Sequence, residues 1–250
     1  IKPKKSLGQN FLIDQNILKK IVSLIKIEDK SVLEIGPGTG NLTSYILRNN
    51  PKKLLVVEKD KFLVNHLKKK FASKIIIIND DILKINEKKL SNEKLIVFGN
   101  LPYNISTEIL AKWIINLDNK NFWFDSLILM FQKEVADRIL SKFNSSNYGR
   151  LTILANWKLE IDKICDIKPG SFSPKPKVDS SLLFFKPKKV FYQFKNSKNL
   201  EKITRIFFNQ RRKKIKKPLN ILFTDSKDVI NELNLDINLR PQNLNKDTFY

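Results

Sequence analysis

The chain of 250 residues carries 47 Lys/Arg against 25 Asp/Glu, a formal net charge of +22 that points to a polyanionic partner. With 42% hydrophobic residues it can bury a sizeable core in one large domain, or in a large and a small one. One cysteine, Cys165, and one histidine, His66, exclude a disulfide framework, a thiolate metal cluster and a Ser-His-Asp triad, so no metal is expected.

The opening residues are basic and polar, without the apolar stretch of a signal peptide, and no apolar run reaches the roughly 18 residues of a membrane span. A reducing cytoplasm is the natural setting for a chain with so little cysteine. Lys2, Lys4 and Lys5 form a basic arm leading into Gly8-Gln9-Asn10-Phe11-Leu12. Asp14 is placed to cap a helix whose inner face carries Ile17, Leu18, Ile21, Val22 and Ile25. Ser31–Ile35 reads as a strand, Gly36-Pro37-Gly38-Thr39-Gly40 as a glycine loop, and Leu42, Tyr45, Ile46 and Leu47 as the next helix. Strand, glycine loop and helix together form a nucleotide-binding arrangement. No Gly-Lys-[Ser/Thr] follows, so it is not a P-loop. A dinucleotide fingerprint is the rival, but a pyrophosphate gains little from Glu34 beside it, whereas a cationic sulfonium tolerates that acid. Glu34 capping the loop structurally is equally open.

Lys53–Val57 is a second strand, ending at Glu58-Lys59-Asp60. Glu58 lies 24 residues after Glu34, where an acid suits two ribose hydroxyls and repels a 2′-phosphate. Asp60 is expected to cap the following helix, which carries Phe62, Leu63 and Leu67, with His66 as a solvated neighbour. Lys74–Asn79 is a third strand; an acid after it, within Asp80-Asp81-Ile82, can accept from an adenine amine. Leu95–Phe98 is a fourth strand, broken by Gly99. Asn100-Leu101-Pro102-Tyr103-Asn104 follows, before a helix opening at Ser106-Thr107-Glu108. Asn100 offers an amide oxygen. Pro102 holds an extended path without an N–H, leaving the Leu101 and Pro102 carbonyls to accept. Tyr103 offers a ring face. Acceptors plus a flat ring suit the exocyclic amine of a nucleobase; the alternative is a junction whose Pro and Tyr serve only the turn.

Asp125–Phe131 reads as a fifth strand, Gln132–Arg138 as the start of a helix, Phe143–Asn147 as a polar loop able to touch substrate, and Leu151–Trp157 as an apolar helix or strand. Glu160–Ile167 is a sixth strand. A loop with three prolines, Pro169 to Ser180, enters a seventh at Val178–Phe185. Phe172 sits among small residues and turns. It is poorly placed for a core and suited to close over a base opposite Tyr103, with a satellite of the core as the alternative. Lys186-Pro187-Lys188-Lys189 is a linker, dividing the chain into domains 1–187 and 188–250. Residues 186–250 hold 16 Lys/Arg against 6 Asp/Glu and are the more basic part per residue. After a helix through Leu200, Ile203, Ile206 and Phe207 come Arg211, Arg212, Lys213, Lys214, Lys216 and Lys217, with Ile215 between. On a helix face such density favours phosphate binding; a solvated face is the bland reading.

Asn100-Leu101-Pro102-Tyr103 resembles the [Asn/Asp]-Pro-Pro-[Tyr/Phe] tetrapeptide of amino-directed methyltransferases, and the glycine loop resembles motif I of S-adenosylmethionine methyltransferases. Further resemblances lie in Lys5-Ser6-Leu7-Gly8-Gln9-Asn10-Phe11-Leu12, the Phe172 loop, the Phe208-Asn209-Gln210-Arg211-Arg212 helix and Leu239–Leu244, which resembles the start of a closing helix. Together, over the whole chain, these are similar to the rRNA adenine N6,N6-dimethyltransferases of the KsgA type. The resemblance implies an α/β, Rossmann-like class I methyltransferase with a seven-stranded, mostly parallel sheet and a small C-terminal helical domain. It implies S-adenosyl-L-methionine under the folded arm, held by Asn10, Leu12, Gly36, Glu58, Asp81 and Asn100. Asn100, Leu101, Pro102, Tyr103 and Phe172 would act on the base. The implied reaction dimethylates two adjacent adenosines near the 3′ end of 16S rRNA in the 30S precursor, as part of small-subunit biogenesis by a cytoplasmic monomer. A resistance methyltransferase of large-subunit rRNA would share the core, but the Phe172 loop and the Phe-Asn-Gln-Arg-Arg helix favour the small-subunit type. A non-catalytic RNA- or transcription-associated factor on the same fold is the alternative of another class.

Overall fold

A computed structural model describes residues 3, 4, 7–117 and 121–250; Lys2, Lys5 and Ser6 of the expected arm lie outside them. The short aliphatic runs form strands covered on both faces, the pattern of a parallel sheet. Strand β2 (Ser31–Ile35) pairs in parallel with β3 (Lys53–Val57) and with β5 (Leu95–Asn100). On the outer sides, β4 (Ile76–Ile78) joins β3 and β6 (Phe124–Gln132) joins β5, again in parallel. β9 (Ser180–Pro187) adds antiparallel to β6, and β7 (Leu159–Ile167) completes a seven-stranded sheet of order β4-β3-β2-β5-β6-β9-β7. The expected seven-stranded, mostly parallel sheet is therefore present. Gly99 does not end its strand: β5 runs on to Asn100. A Cβ at Gly99 would stand 2.9 Å from a Leu101 methyl and 3.1 Å from a Leu129 methyl, so the glycine serves close packing.

Two of the helices start where a carboxylate satisfies their first N–H groups. Asp14 caps α1 (Gln15–Ser23), accepting from Asn16 and Ile17, and Asp60 caps α3 (Lys61–Phe71), accepting from Phe62. Between them α2 (Asn41–Leu47) follows the glycine loop; further on, α4 (Ser106–Asn116) follows the Asn-Leu-Pro-Tyr turn and α5 (Lys133–Ile139) follows β6.

The chain divides into two compact units. The first is Ile1–Leu110, Leu117–Ala136 and Glu160–Pro187; the second is Ala111–Asn116, Asp137–Leu159 and Lys188–Tyr250. The second unit is thus not one contiguous stretch of chain. It takes in α6 (Arg150–Lys158) because that helix packs with the tail. The Trp157 indole N–H donates to the Tyr192 carbonyl at 2.8 Å, and Tyr250 Oη donates to the Ile153 carbonyl at 2.7 Å. α7 (Ser197–Asn209) buries Leu200, Thr204 and Phe207 at helical spacing.

The basic residues do not lie on one helix face. α7 ends at Asn209, Arg211–Lys214 form a turn, and α8 (Lys216–Leu222) starts anew. Pro218 is the physical reason: a helix running through 211–217 would need its missing N–H to bond Lys214, whereas Pro is tolerated in a first turn. Leu239–Leu244 likewise opens no long helix; Pro241–Asn243 is a single 3-10 turn.

Phe172 corrects another expectation. In the first unit, β1 (Phe11–Leu12) pairs antiparallel with β8 (Phe172–Ser173), placing Leu12 opposite Phe172. The ring is 1% exposed and belongs to the core cluster with Leu12, Ile167 and Leu182. Chain neighbours are small, but the strand pairing supplies neighbours that local sequence does not show. Phe172→Ala should therefore lower unfolding free energy by about 3–5 kcal/mol, the range for emptying a buried phenyl site. Denaturant unfolding checks it, and an unchanged midpoint would place the ring outside the core.

Candidate active site

Parallel pairing brings Ile35 level with both Val57 and Gly99. The next residue along each strand is then Gly36, Glu58 or Asn100, side by side at the sheet's carboxyl edge, where open α/β sheets bind ligands. A cleft opens there, walled by these tips, by Leu7–Phe11 of the arm, by Asp80–Leu83, and by Asn100–Ile105. Gly36 turns away at φ +65°, and Gly38 at φ +57°. A Cβ on Gly38 would stand 2.6 Å from the Phe11 ring, so only glycine lets the arm lie on the loop.

Acids line this edge, each in a different state. Glu58 is 7% exposed; its two oxygens accept from the backbone N–H of Asp60 at 2.8 Å and of Gly38 at 3.3 Å. Burial pushes its pKa up, against those hydrogen bonds. A carboxylate has about four acceptor positions, so two remain for hydroxyl donors. Asp60 caps its helix as expected and does more: it accepts from Lys4 Nζ at 2.9 Å and Gln9 Nε2 at 3.2 Å. Burial raises the Asp60 pKa, but Lys4, the Phe62 N–H and Gln9 together pull it below the ordinary value. Asp81 lines the cleft, and Lys59, at 2.8 Å, holds its pKa down. Asp80 lines it too, so the lining does not separate the pair. Glu34 is different again. It is 2% exposed, accepts from Thr43 Oγ1 at 2.6 Å, and burial pushes its pKa up to about 8. At neutral pH it is mostly uncharged, so the expected tolerance of a sulfonium by a negative Glu34 gives way to a buried, loop-bracing carboxyl.

The Asn100 amide nitrogen donates to the Asn10 carbonyl at 2.7 Å, which turns its oxygen into the end available to accept. The Pro102 carbonyl is already committed to the turn, accepting from Ile105 N at 3.1 Å. Tyr103 lines the cleft, and its hydroxyl stands 2.5 Å from Ser180 Oγ. Leu101 and Leu12 are both buried side chains, at 1% and 4% exposure, so any contact they make with a ligand is through backbone. The Leu12 carbonyl accepts from Asn41 Nδ2 at 2.8 Å. Asn10, Gly36, Glu58, Asp81, Asn100, Pro102 and Tyr103 are thus gathered at one cleft, while Phe172 is not among its walls. Sequence reasoning missed the apolar walls Val57 and Leu63, because helical and strand periodicity marks such residues only as core. It also missed Lys4 and Gln9 on Asp60, whose pairing crosses more than 50 residues. The lining fits an adenosylated sulfonium: acceptors for a ribose and an amine, apolar walls for the ring, and glycine where the backbone must come close.

In the second unit a separate open groove is lined by Arg211, Arg212, Lys213 and Lys217 with Asn144, Ser146 and Arg240. The polar loop and the basic turn both meet the Pro241–Asn243 turn: the Asn144 N–H donates to the Gln242 carbonyl at 2.8 Å, and Arg211 Nε donates to Gln242 Oε1 at 3.4 Å. Lys214 and Lys216 are not in the lining; Lys214 donates to Asn238 at 2.8 Å. Arg240 is the member that sequence density could not find, since it stands alone in the chain.

Comparison with known proteins agrees with this geometry. Residues 1–250 match the family described as ribosomal RNA adenine dimethylase. The chain is 65% identical over its full length to the ribosomal RNA small subunit methyltransferase A of Pelagibacter ubique, covering 95% of that protein. Among solved structures, a dimethyladenosine transferase from Plasmodium falciparum superposes with TM-score 0.80 at 30% identity, over 96% of this chain and 94% of that one. The 23S rRNA methyltransferase ErmE shares the fold, with TM-score 0.68 at 20% identity, over 96% of each chain.

The buried Glu34 makes stability depend on pH. An unfolded glutamate titrates near 4.5, the folded one at about 8. Between those values the folded state keeps a proton that the unfolded state has lost. The contribution of the neutral carboxyl is complete below the lower value and falls as pH rises, by at most about 1.4 kcal/mol per pH unit. Glu34→Gln, which cannot titrate, should flatten the fall in denaturant midpoint across that window; a parallel profile would contradict the assignment.

Proposed function

The chain belongs to the ribosomal RNA adenine dimethylase family, and from that premise we propose that its cleft presents S-adenosyl-L-methionine to the N6 amine of adenosines in small-subunit rRNA. It is an rRNA dimethyltransferase that uses this methyl donor. When bound, the donor supplies a methyl group on a positively charged sulfur. The substrate we infer is a pair of adjacent adenosines near the 3′ end of 16S rRNA, presented in the 30S precursor. The proposed setting is the cytoplasm, with the enzyme acting as a monomer. Among the described residues no helix is long and apolar enough to cross a membrane.

The observation that carries the reading is the orientation of Asn100. An adenine N6 lone pair is delocalised into the ring and is a poor nucleophile. Because the Asn100 nitrogen is turned toward the Asn10 carbonyl, its oxygen can accept one N6 proton, and the Leu101 carbonyl can accept the other. Both favour a localised lone pair on nitrogen. Tyr103 stacks on a base extruded from its helix. In-line placement of the amine supplies much of the remaining acceleration. Phe172 packs in the core opposite Leu12 and is left out of the proposed base contacts; Asn10, Gly36, Glu58 and Asp81 are proposed to hold the donor.

The test incubates the protein with labelled S-adenosyl-L-methionine and either 30S precursor particles or 23S rRNA, then maps the modified base. Label is expected in the 30S arm, and label in 23S rRNA alone would move the assignment to the large subunit. Asn100→Ala and Tyr103→Ala should lose turnover, by about a hundredfold where a positioned acceptor is removed, while keeping the fold by circular dichroism.

We assign the basic groove of the second unit to rRNA phosphates, held by Arg211, Arg212, Lys213 and Lys217, with Lys214 and Lys216 contributing at its margin. Such contacts position without reading sequence, so affinity falls as salt rises. Replacing Arg211 and Arg212 together by alanine should flatten the salt dependence of 30S binding and leave donor affinity unchanged. Equal slopes for the two proteins would reduce the cluster to a solvated surface.

A further inference from the structure

The turn that carries Tyr103 fixes its backbone, through the Pro102 carbonyl and the Ile105 N–H. It does not fix the direction in which the side chain points. A ring that stacks on a base is useful only while its position is held, since a small misplacement costs rate. The restraint comes from 77 residues away, where Ser180 Oγ stands 2.5 Å from the Tyr103 hydroxyl.

Ser180 is unusually well anchored for a residue at the end of a loop. It is fully buried and pairs with Gln132 at the first register position of β9. Before it, the Asp179 carbonyl accepts from Lys133 N at 2.9 Å, and the Asp179 carboxylate accepts from Lys168 at 2.6 Å. After it, Ser181 Oγ donates to Asp166 at 2.6 Å, and Asp166 also holds Lys133 at 2.7 Å and Lys163 at 2.8 Å. Those lysines keep the Asp166 carboxyl ionised far below the usual carboxylate range. Asp179 is tied to residues just past the ends of β6 and β7 and Ser181 to β7 itself, so the backbone of Ser180 is a fixed point. Burial raises the Tyr103 pKa, so the phenol stays protonated and able to donate to Ser180 or accept from it.

We propose that Ser180 is a positioning residue for methyl transfer: its hydroxyl holds the Tyr103 hydroxyl and so sets where the ring stands against the base. The inference rests on the methyltransferase reading of the cleft. It gives the proline-containing loop before β9 a task, which is to deliver one serine to Tyr103 behind the cleft wall. It also gives the Tyr103 hydroxyl a role, where the sequence calls only for a ring face.

A double-mutant cycle tests it, with Ser180→Ala, Tyr103→Phe and the double variant in the full chain. Turnover on 30S particles is measured beside donor affinity by calorimetry and thermal midpoint. Each single variant should lose turnover by about tenfold, the worth of one hydrogen bond, with donor affinity unchanged. The double variant should be no slower than the slower single one. Losses that multiply would show Ser180 acting by another route and overturn the proposal. If Ser180→Ala does not fold, Tyr103→Phe decides alone, and wild-type turnover in that variant overturns it. Wild-type protein inactive on rRNA would overturn the methyltransferase reading, whereas an active wild type with multiplicative losses overturns only this inference.

Discussion

The register between β2 and β5 is the constraint on which the site depends. Ile35 stands opposite Gly99, so the glycine turn that begins at Gly36 and the amide of Asn100 emerge next to one another. A slip of one residue would invert every side chain on the strand, and a slip of two would carry Asn100 away from the glycine loop. The register is secured by burial on both faces. Val32, Leu33, Val97 and Phe98 are each fully buried, and β3 holds the other side of β2 in the matching register. Packing at the centre of the sheet thus decides which polar groups meet at its edge.

Several carboxyl groups sit at that edge at low exposure, which is costly unless each is neutralised or hydrogen-bonded. The protein uses a different remedy for each. Glu34 keeps its proton, Glu58 accepts from two backbone N–H groups, and Asp60 takes a lysine and a glutamine from the arm. Asp60 therefore ties the arm at one point, while Asn10 ties it at another through Asn100. The arm and the acceptor amide are held by the same set of bonds. The bond that orients Asn100 is thus also one of the bonds that hold the arm.

The basic surplus follows a different logic. Chemistry at the amine needs uncharged acceptors and a ring, whereas holding a polyanion needs many cations at modest precision. The second unit places its cations on a turn between helices and gathers them with Arg240 and the polar loop around a groove. A turn spreads side chains over a wider arc than one helix face does, which suits phosphates along a curved backbone.

Much of this was legible from the chain alone because it depends on local rules. Strand–glycine loop–helix, the capping acids Asp14 and Asp60, the acid at Glu58 and the Asn-Leu-Pro-Tyr turn each announce themselves within a few residues. Hydrophobic pattern, turn chemistry and capping act at that range. The sheet and most of the cleft lining follow from them. Local rules failed where a distant partner decided the outcome. Phe172 looks exposed among small neighbours, yet pairing with Leu12 buries it. The charge on Glu34 reads as fixed, yet burial beside Thr43 keeps it protonated. Ser180 is one of several serines in the chain until β9 sets it against Tyr103. Sequence by itself determined which elements form and which chemical groups end them. Tertiary structure alone decided which of those groups are dry, which are charged and which touch. Solvent access and contacts between segments far apart in the chain exist only once the sheet has assembled.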